Sequence, residues 1–161
     1  MLKNLSIILF VLSSLILSAC CSSSDSQMSS RSTPTIYTKE ECTLMEDFEQ
    51  KAGDRVFFAF NSSEVSHSAK ETLDKQITWL KNNSNVSVII EGYCDDRGTR
   101  EYNLALGERR AESVKQYMIR HGINSSRIGT ISYGKERPAV IGTGEAVWKQ
   151  NRRCVTLINN D

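Results

Sequence analysis

Two spacings of apolar residues alternate along the chain after residue 53, one typical of strands and the other typical of helices. Short runs of β-branched and aromatic residues predict strands at 56–60, 86–92, 128–134 and 154–158. Apolar residues spaced by three and four predict helices at about 69–80 and 100–121, with a short one at 144–151. We therefore expect an α/β sandwich in which one sheet carries its helices on one face.

The first twenty residues follow neither spacing and have the layout of a secretory signal. Lys3 supplies a positive start, residues 5–17 are almost entirely apolar, and small residues come directly before Cys20. The apolar run is shorter than the roughly 20 residues that a transmembrane helix needs. We therefore expect residues 1–19 to be a signal peptide that is removed.

The cysteine at the end of this signal resembles the cysteine of the lipobox of bacterial lipoproteins. The resemblance implies that Cys20 becomes the new N-terminus and carries an S-diacylglycerol and an N-palmitoyl group, and two or more acyl chains make a stable anchor. Cys21 is not an aspartate, which by the same resemblance favours the outer membrane, with the domain facing the periplasm. An ordinary cleaved signal followed by a chance cysteine is the alternative.

A serine-rich stretch at 22–35 separates this anchor from the rest of the chain and predicts a flexible linker. The stretch at 39–52 is ambiguous, and its few apolar residues fit a short amphipathic turn. The chain has 161 residues, 39% of them apolar, which is enough for one modest domain. We expect a lipidated tether over 20–52 and a single domain over 53–161.

Charge and motif content argue against several classes of function. Twenty basic and nineteen acidic residues give a net charge of +1, so no global field would attract nucleic acid. The sequence has no nucleophile elbow and no phosphate-binding loop. Its cysteines do not come in the close pairs of zinc sites, and its only histidines are His67 and His121. We expect no nucleic-acid partner, no metal, no cofactor and no enzymatic activity.

The predicted helix at 100–121 carries two neighbouring arginines in different positions. Its apolar stripe runs through residues 104, 107, 111, 114 and 118. At about 100° per residue, Arg110 lies at the edge of this stripe and Arg109 nearly opposite it. We expect Arg110 to lie along the sheet toward the loop before the helix, and Arg109 to point to water.

That loop holds the densest group of charges, Asp95, Asp96 and Arg97. The pair Asp95 and Asp96 is the sole candidate for acid and base catalysis, but adjacent residues on one turn rarely flank a substrate. From the residues alone, the simplest role for Arg110 is a structural salt bridge to Asp95 or Glu91.

Three separated motifs then resemble one family, and they read GYCDDRGTREYNLALGERRA at 92–111, SYGKERPAV at 132–140 and NRRCV at 151–155. They are similar to those of the peptidoglycan-associated lipoproteins, a family that shares the C-terminal domain of outer membrane protein A. The resemblance covers residues 53–158. It implies a four-stranded mixed sheet in the order first, fourth, second and third strand, with the last strand antiparallel.

The family binds the peptide stem of peptidoglycan without cutting it, so the resemblance implies a protein that links the outer membrane to the cell wall. The stem's meso-diaminopimelate ends in an ammonium and a carboxylate, whose recognition needs one acid and one bidentate base held apart in a groove. Asp95 corresponds to the family's partner for the ammonium, and Arg110 to its partner for the carboxylate. The other positions that match the family's groove are Phe60, Asn61, Arg97, Asn103 and Leu106.

The chain departs from the family near the end of the first strand. Asn61 stands where relatives commonly carry an aspartate, and Ala59 stands where another acid is frequent. Asn61 can hydrogen-bond but lacks the charge that would hold an ammonium, so an altered affinity or stem preference is expected. Tyr93 replaces a common histidine, either as an aromatic wall of the groove or as ordinary packing at a strand end.

The resemblance also implies a role in the Tol-Pal system of envelope integrity and cell division. The expected partner is the TolB-like periplasmic β-propeller protein, which competes with the wall for an overlapping surface. A motor or porin-type wall anchor would use a membrane helix or a barrel instead of a lipobox. A periplasmic redox or disulfide-bearing lipoprotein without wall binding is the alternative, and the absence of a Cys-x-x-Cys motif argues against it.

The family's sheet places the last strand antiparallel beside the second, so the resemblance implies a disulfide between Cys94 and Cys154. Two buried thiols are the alternative. Cys42 is left over, and the sequence leaves three possibilities open: a bond to Cys21, a bond to another chain, or a reduced thiol.

Overall fold

The computed structural model of this chain describes residues 39–159, with side chains from residue 43 onward. The predicted signal peptide, the lipidation site Cys20, its neighbour Cys21 and the serine-rich stretch lie outside the described residues, as does the side chain of Cys42. Within the described part, no helix combines the length and the apolar character needed to cross a membrane.

Helices and strands follow one another in the predicted order. The elements are α1 (Lys39–Ala52), β1 (Arg55–Phe57), α2 (His67–Asn82), β2 (Ser87–Tyr93), α3 (Arg100–Arg120), β3 (Ile128–Gly134), α4 (Glu145–Asn151) and β4 (Arg153–Asn159). Side-chain oxygens cap two of the helices, because Ser66 accepts from the Ala69 N–H and Thr99 accepts from the Tyr102 N–H, each at 3.2 Å.

The four strands form one mixed sheet in the order β1-β4-β2-β3. Strand β4 runs antiparallel to both of its neighbours, and β2 runs parallel to β3. This confirms the expected fold class and strand order. Strand β1 is shorter than the predicted strand at 56–60, because β4 begins at Arg153, directly opposite Phe57. The residues after Phe57 therefore leave the sheet.

The core lies between this sheet and helices α2 and α3. Both layers contribute side chains that are almost fully buried, among them Leu73, Leu80, Val88, Ile90, Val114 and Met118. Burying one such side chain stabilises a fold by roughly 1.5–3 kcal/mol.

The buried face of α3 differs from the predicted stripe at its first turns. Leu104 is 50% exposed, whereas Asn103 and Leu106 are buried. This end of α3 faces a pocket rather than the apolar core, so a polar side chain takes the inward position. Arg110 is buried and Arg109 exposed, as the helical geometry predicted.

Residues 39–52 form a regular helix rather than a short turn. Phe48 is completely buried and packs edge-on against Trp79 of α2, with ring centres 5.1 Å apart. The Trp79 indole N–H donates to Asp47 at 2.8 Å. The tether predicted to end at residue 52 is corrected here, because α1 packs on α2 and belongs to the folded domain.

The predicted disulfide between Cys94 and Cys154 is not formed, and both residues are buried free thiols. Cys154 lies opposite Gly92 in the sheet register, which leaves Cys94 at the diagonal position. Diagonal Cα atoms are about 7–8 Å apart, beyond the usual reach of a disulfide. The Cys94 thiol instead donates to the Asn103 carbonyl at 3.3 Å.

Candidate functional site

A pocket with a volume of about 170 Å³ opens where β2 ends, between the loop that follows β2, the start of α3 and the residues after β1. All of the residues that were predicted to bind a ligand line it, namely Phe60, Asn61, Asp95, Arg97, Asn103, Leu106 and Arg110. The structure thus brings together side chains that are separated by as many as fifty positions in the sequence.

Asp95 is buried in this pocket, with both carboxylate oxygens engaged. Its Oδ2 lies 2.5 Å from Nη2 of Arg97 and 3.3 Å from Nη1 of Arg152, and its Oδ1 accepts the Arg97 backbone N–H at 3.4 Å. Burial pushes the pKa of Asp95 upward, but the hydrogen bonds from Arg97 and Arg152 outweigh it, so this pKa lies below its ordinary value. The carboxylate is therefore charged at neutral pH.

Arg97 lies between two aromatic rings. Its guanidinium carbon is 3.8 Å from the centre of the Phe60 ring and 4.0 Å from the centre of the Trp148 ring. A second carboxylate, that of Glu145, is 3.9 Å from its Nη2. The Nε atom of Arg97 and the indole nitrogen of Trp148 are buried donors without an acceptor. Stacking and two acids thus hold this side chain, while one of its donors is unsatisfied.

Arg110 is fully buried, and its hydrogen bonds go to neutral groups. Nε donates to the Ser62 carbonyl at 2.8 Å, Nη1 to the Tyr93 carbonyl at 2.7 Å, and Nη2 to the Ala59 carbonyl at 3.1 Å. Nη1 also lies 3.4 Å from the Cys94 sulfur. Among the residues that the structure describes, no carboxylate forms an ion pair with Arg110.

This geometry overturns the simplest role of Arg110, a salt bridge to Asp95 or Glu91. Glu91 instead accepts a hydrogen bond from the Tyr93 hydroxyl. Burial lowers the pKa of Arg110 from its ordinary value. A guanidinium has five N–H groups, and the four contacts of Arg110 leave one of them, on Nη2, without an acceptor. The arrangement therefore offers one hydrogen bond rather than a bidentate contact.

Asn61 forms the rim of the pocket and has a φ of 53°. Asparagine tolerates this left-handed conformation better than most residues. Its side-chain oxygen accepts a hydrogen bond from the Tyr102 hydroxyl, which ties the segment after β1 to the start of α3. The Asn61 amide thus links two of the segments that line the pocket.

Asn103 shapes the pocket by holding the loop before α3. Its Nδ2 donates to the Arg97 carbonyl at 2.8 Å and to the Thr99 carbonyl at 3.0 Å. Leu106 supplies an apolar surface beside it. Because both amide hydrogens of Asn103 are engaged within the loop, this residue fixes the position of the neighbouring backbone.

Tyr93 does not line the pocket. Its ring stacks on Tyr133 with centres 5.5 Å apart, and the guanidinium of Arg153 lies 3.8 Å from its centre. Of the two roles left open for the residue that replaces the family's common histidine, packing at the strand end is the one that its contacts support.

Three residues of the site were missed in the sequence, Glu145, Trp148 and Arg152. Arg152 donates to the Phe58 carbonyl at 3.0 Å, to Asp95 and to Glu145. Hydrogen bonding from Arg152 lowers the pKa of Glu145. The motif at 151–155 was a signal for Arg152, since it carries two adjacent arginines before a strand. No motif or spacing in the surrounding sequence marked Glu145 or Trp148 as site residues.

Positively charged side chains outnumber carboxylates in the site. Three guanidiniums (Arg97, Arg110 and Arg152) lie with two carboxylates (Asp95 and Glu145) in or beside the pocket. Across residues 43–159, no three His, Cys, Asp or Glu side chains come together in a way that could hold a metal ion. The arrangement is suited to a ligand group that carries a negative charge for Arg110.

Comparisons with known proteins agree with this architecture. The family model described as "OmpA family" matches residues 57–152. A peptidoglycan-associated lipoprotein of Brucella melitensis is 46% identical over 114 residues, which are 71% of this chain and 68% of that protein. One from Haemophilus influenzae is 41% identical over 106 residues, which are 66% of this chain and 69% of that protein.

Solved structures show the same fold. The crystal structure of the peptidoglycan-associated lipoprotein from Burkholderia pseudomallei has a TM-score of 0.64 at 37% identity, and the match covers 66% of this chain and 90% of that chain. The C-terminal domain of Helicobacter pylori MotB has a TM-score of 0.62 at 19% identity, with 67% of this chain and 85% of that chain covered. At that identity the second similarity concerns the fold alone.

Proposed function

Because the chain belongs to the OmpA family and its relatives are peptidoglycan-associated lipoproteins, we propose that it binds peptidoglycan without cutting it and links the outer membrane to the cell wall. The proposed ligand is the meso-diaminopimelate end of a stem peptide, which presents an ammonium and a carboxylate. The proposed role is that of a binding protein rather than an enzyme.

The observation that carries this proposal is the buried Arg110, which lines the pocket without a carboxylate partner among the described residues. Removing a charged group from water costs several kcal/mol unless an opposite charge compensates for it. A carboxylate of the ligand would supply that charge and accept the free N–H of Nη2. Asp95, on the loop beside Arg110, is the acid for the ligand's ammonium.

The membrane end of the protein is proposed from the sequence. Residues 1–19 would be removed, and the acylated Cys20 would hold the chain to the outer membrane. Through the family, we also propose a place in the Tol-Pal system of cell division, with the periplasmic β-propeller protein as a partner. Acyl labelling of Cys20→Ser in living cells tests the anchor, since lipid incorporation should be abolished while Cys21→Ser retains it.

The redox alternative has less support in the structure. Burial raises the pKa of both the Cys94 and the Cys154 thiol. Reactive cysteines instead have a lowered pKa and an accessible sulfur. The two buried thiols are therefore better explained as packing.

Co-sedimentation with purified sacculi tests the proposed function. Wild type should pellet, and Asp95→Ala and Arg110→Ala should bind at least about tenfold more weakly, since a charge-assisted hydrogen bond contributes roughly 1.5–3 kcal/mol. Arg109→Ala is the matched control, because Arg109 is the exposed neighbour of Arg110 on α3. Arg110→Lys, checked for folding by circular dichroism, guards against loss of structure in the alanine variant. Undiminished pelleting of Asp95→Ala and Arg110→Ala would contradict the site, and failure of wild type to pellet would contradict the function.

A further inference from the structure

Arg97 occupies the place on Asp95 that a ligand's ammonium would take. Its Nη2 lies 2.5 Å from Oδ2 of Asp95, whose side chain is only 5% exposed. Oδ1 of the same carboxylate already accepts the Arg97 backbone N–H. An ammonium that is to pair with Oδ2 of Asp95 must therefore displace a guanidinium, because Arg97 and Arg152 both bond to this oxygen.

Of the two guanidiniums on Asp95, Arg97 has fewer hydrogen bonds to lose. The Arg152 side chain is 6% exposed and bonds to the Phe58 carbonyl as well as to both acids of the site. The Arg97 side chain is 31% exposed, and its Nε has no acceptor. Moving Arg97 thus disrupts fewer hydrogen bonds than moving Arg152.

Glu145 offers Arg97 a second position. Its Oε2 is 3.9 Å from Arg97 Nη2, while its Oε1 accepts from Arg152. The Glu145 side chain is 63% exposed, so it can adjust. The ring centres of Phe60 and Trp148 lie 3.8 and 4.0 Å from the guanidinium carbon, and cation–π attraction operates within about 6 Å of a ring centre. A slide from Asp95 to Glu145 therefore keeps Arg97 between the rings.

We propose that Arg97 competes with the ligand's ammonium for Asp95, and that Glu145 is a positioning residue that receives Arg97 when the ligand binds. The inference rests on the proposed function in that it takes the ligand to carry an ammonium. One cation replaces another at Asp95, so the charge around the carboxylate is conserved. A two-pronged contact with Glu145 through Nη2 and Nε also supplies the acceptor that Nε lacks.

Calorimetric titration of the full-length lipoprotein in detergent with a soluble muropeptide ending in meso-diaminopimelate tests this. Glu145→Gln should weaken binding about two- to fivefold, as expected for loss of a partly exposed ion pair. When Arg97 is already alanine, the same substitution should weaken binding clearly less, since only the bond from Arg152 is then affected. Glu136→Gln is the matched control, because Glu136 pairs with Arg100 on the surface at 3.3 Å. This substitution should leave the affinity unchanged both in wild type and in Arg97→Ala.

Equal weakening by Glu145→Gln in both backgrounds would mean that Glu145 acts independently of Arg97, through the ligand or through Arg152, and would overturn the proposal. No weakening in the wild-type background would overturn it as well. Absence of any binding by wild type would overturn the proposed function as well. Wild-type binding without coupling between positions 97 and 145 would overturn only the exchange of Arg97.

Fluorescence of Trp148 gives a second readout that a purely structural role of Glu145 would not change. Saturating muropeptide should alter the emission of wild type, because the Arg97 guanidinium shifts across the Trp148 ring while it stays stacked, and should leave the emission of Arg97→Ala unaltered. The other tryptophan, Trp79, is buried beside α1 with its N–H bonded to Asp47. The Trp148→Phe variant shows the emission of Trp79 alone, which can then be subtracted. Unaltered wild-type emission at saturation would overturn the proposal.

Discussion

The burial of Arg110 carries a cost for the folded domain. Moving a guanidinium out of water costs several kcal/mol, and its contacts offset this only through neutral groups, the carbonyls of Ala59, Ser62 and Tyr93. An apolar replacement would remove the buried charge but would leave these carbonyls without their donor. A cation in this setting is best explained by an anionic ligand, which is the basis of the proposed function.

Asp95 is expected to make the stability of the domain depend on pH. Burial raises its pKa, but hydrogen bonds from Arg97 and Arg152 lower it further, so the folded pKa lies below the ordinary value of 3.8. The folded state then binds the proton more weakly than the unfolded state. Stability from Asp95 is therefore fully present above about pH 4 and is lost as the pH falls through the folded pKa.

Urea unfolding of wild type and Asp95→Asn at several pH values checks this prediction. The difference in unfolding free energy between the two should be largest near neutral pH and should shrink in acid. Asp96→Asn is the matched control, since Asp96 is the exposed neighbour of Asp95. A difference between wild type and Asp95→Asn that stays constant at all pH values would contradict the prediction.

Helix α3 and strand β2 approach so closely that no side chain fits between them at one point. A Cβ on Gly92 would lie 2.0 Å from the carbonyl oxygen of Gly107. Arg110 follows Gly107 by about one helical turn. The contact between these two glycines therefore determines where the Arg110 guanidinium meets the end of β2.

Gly92→Ala is expected to lower the free energy of unfolding by about 3 kcal/mol, the upper part of the range for overpacked cores. Gly129→Ala in β3 is the matched control, because its Cβ would lie an ordinary 3.5 Å from Ile89, and it should change stability by less than about 1 kcal/mol. Chemical denaturation of both variants gives the measurement. Similar losses for both would mean that the close approach of α3 does not control stability.

The helices and strands were predicted correctly where their apolar spacing is a local property of the sequence. The features that were not predicted depend on contacts with residues far away in the chain. Helix α1 has few apolar residues. Its buried residue Phe48 packs against Trp79 on the next helix, and the local sequence of α1 does not predict this contact. The contact between Asp95 and Arg152 joins residues 57 positions apart, and no local spacing predicts it. The seven predicted site residues line one pocket, and they were chosen because they match positions of the family's groove, whereas Glu145 and Trp148 lie in none of the three motifs.

The whole molecule has almost no net charge, and its recognition chemistry is concentrated in one place. Twenty basic and nineteen acidic residues leave a charge of +1. Around the pocket, the three guanidiniums exceed the two carboxylates by one, and Arg110, Arg152 and Asp95 are buried. Under the proposed function, the wall is therefore held by a few groups shielded from water rather than by a general attraction.

Binding to the wall is accordingly expected to depend only weakly on salt. At about 1 M salt the screening length falls to roughly 3 Å, which abolishes attraction between exposed charges but affects buried pairs much less. Dissociation constants of wild type from sacculi in about 0.1 M and 1 M sodium chloride should agree within about threefold, on this account of screening. Any residual pelleting of Asp95→Ala should disappear in high salt, since it would reflect adsorption through surface charges. Loss of wild-type pelleting in high salt would place the wall-binding groups on the exposed surface instead of in the pocket around Arg110.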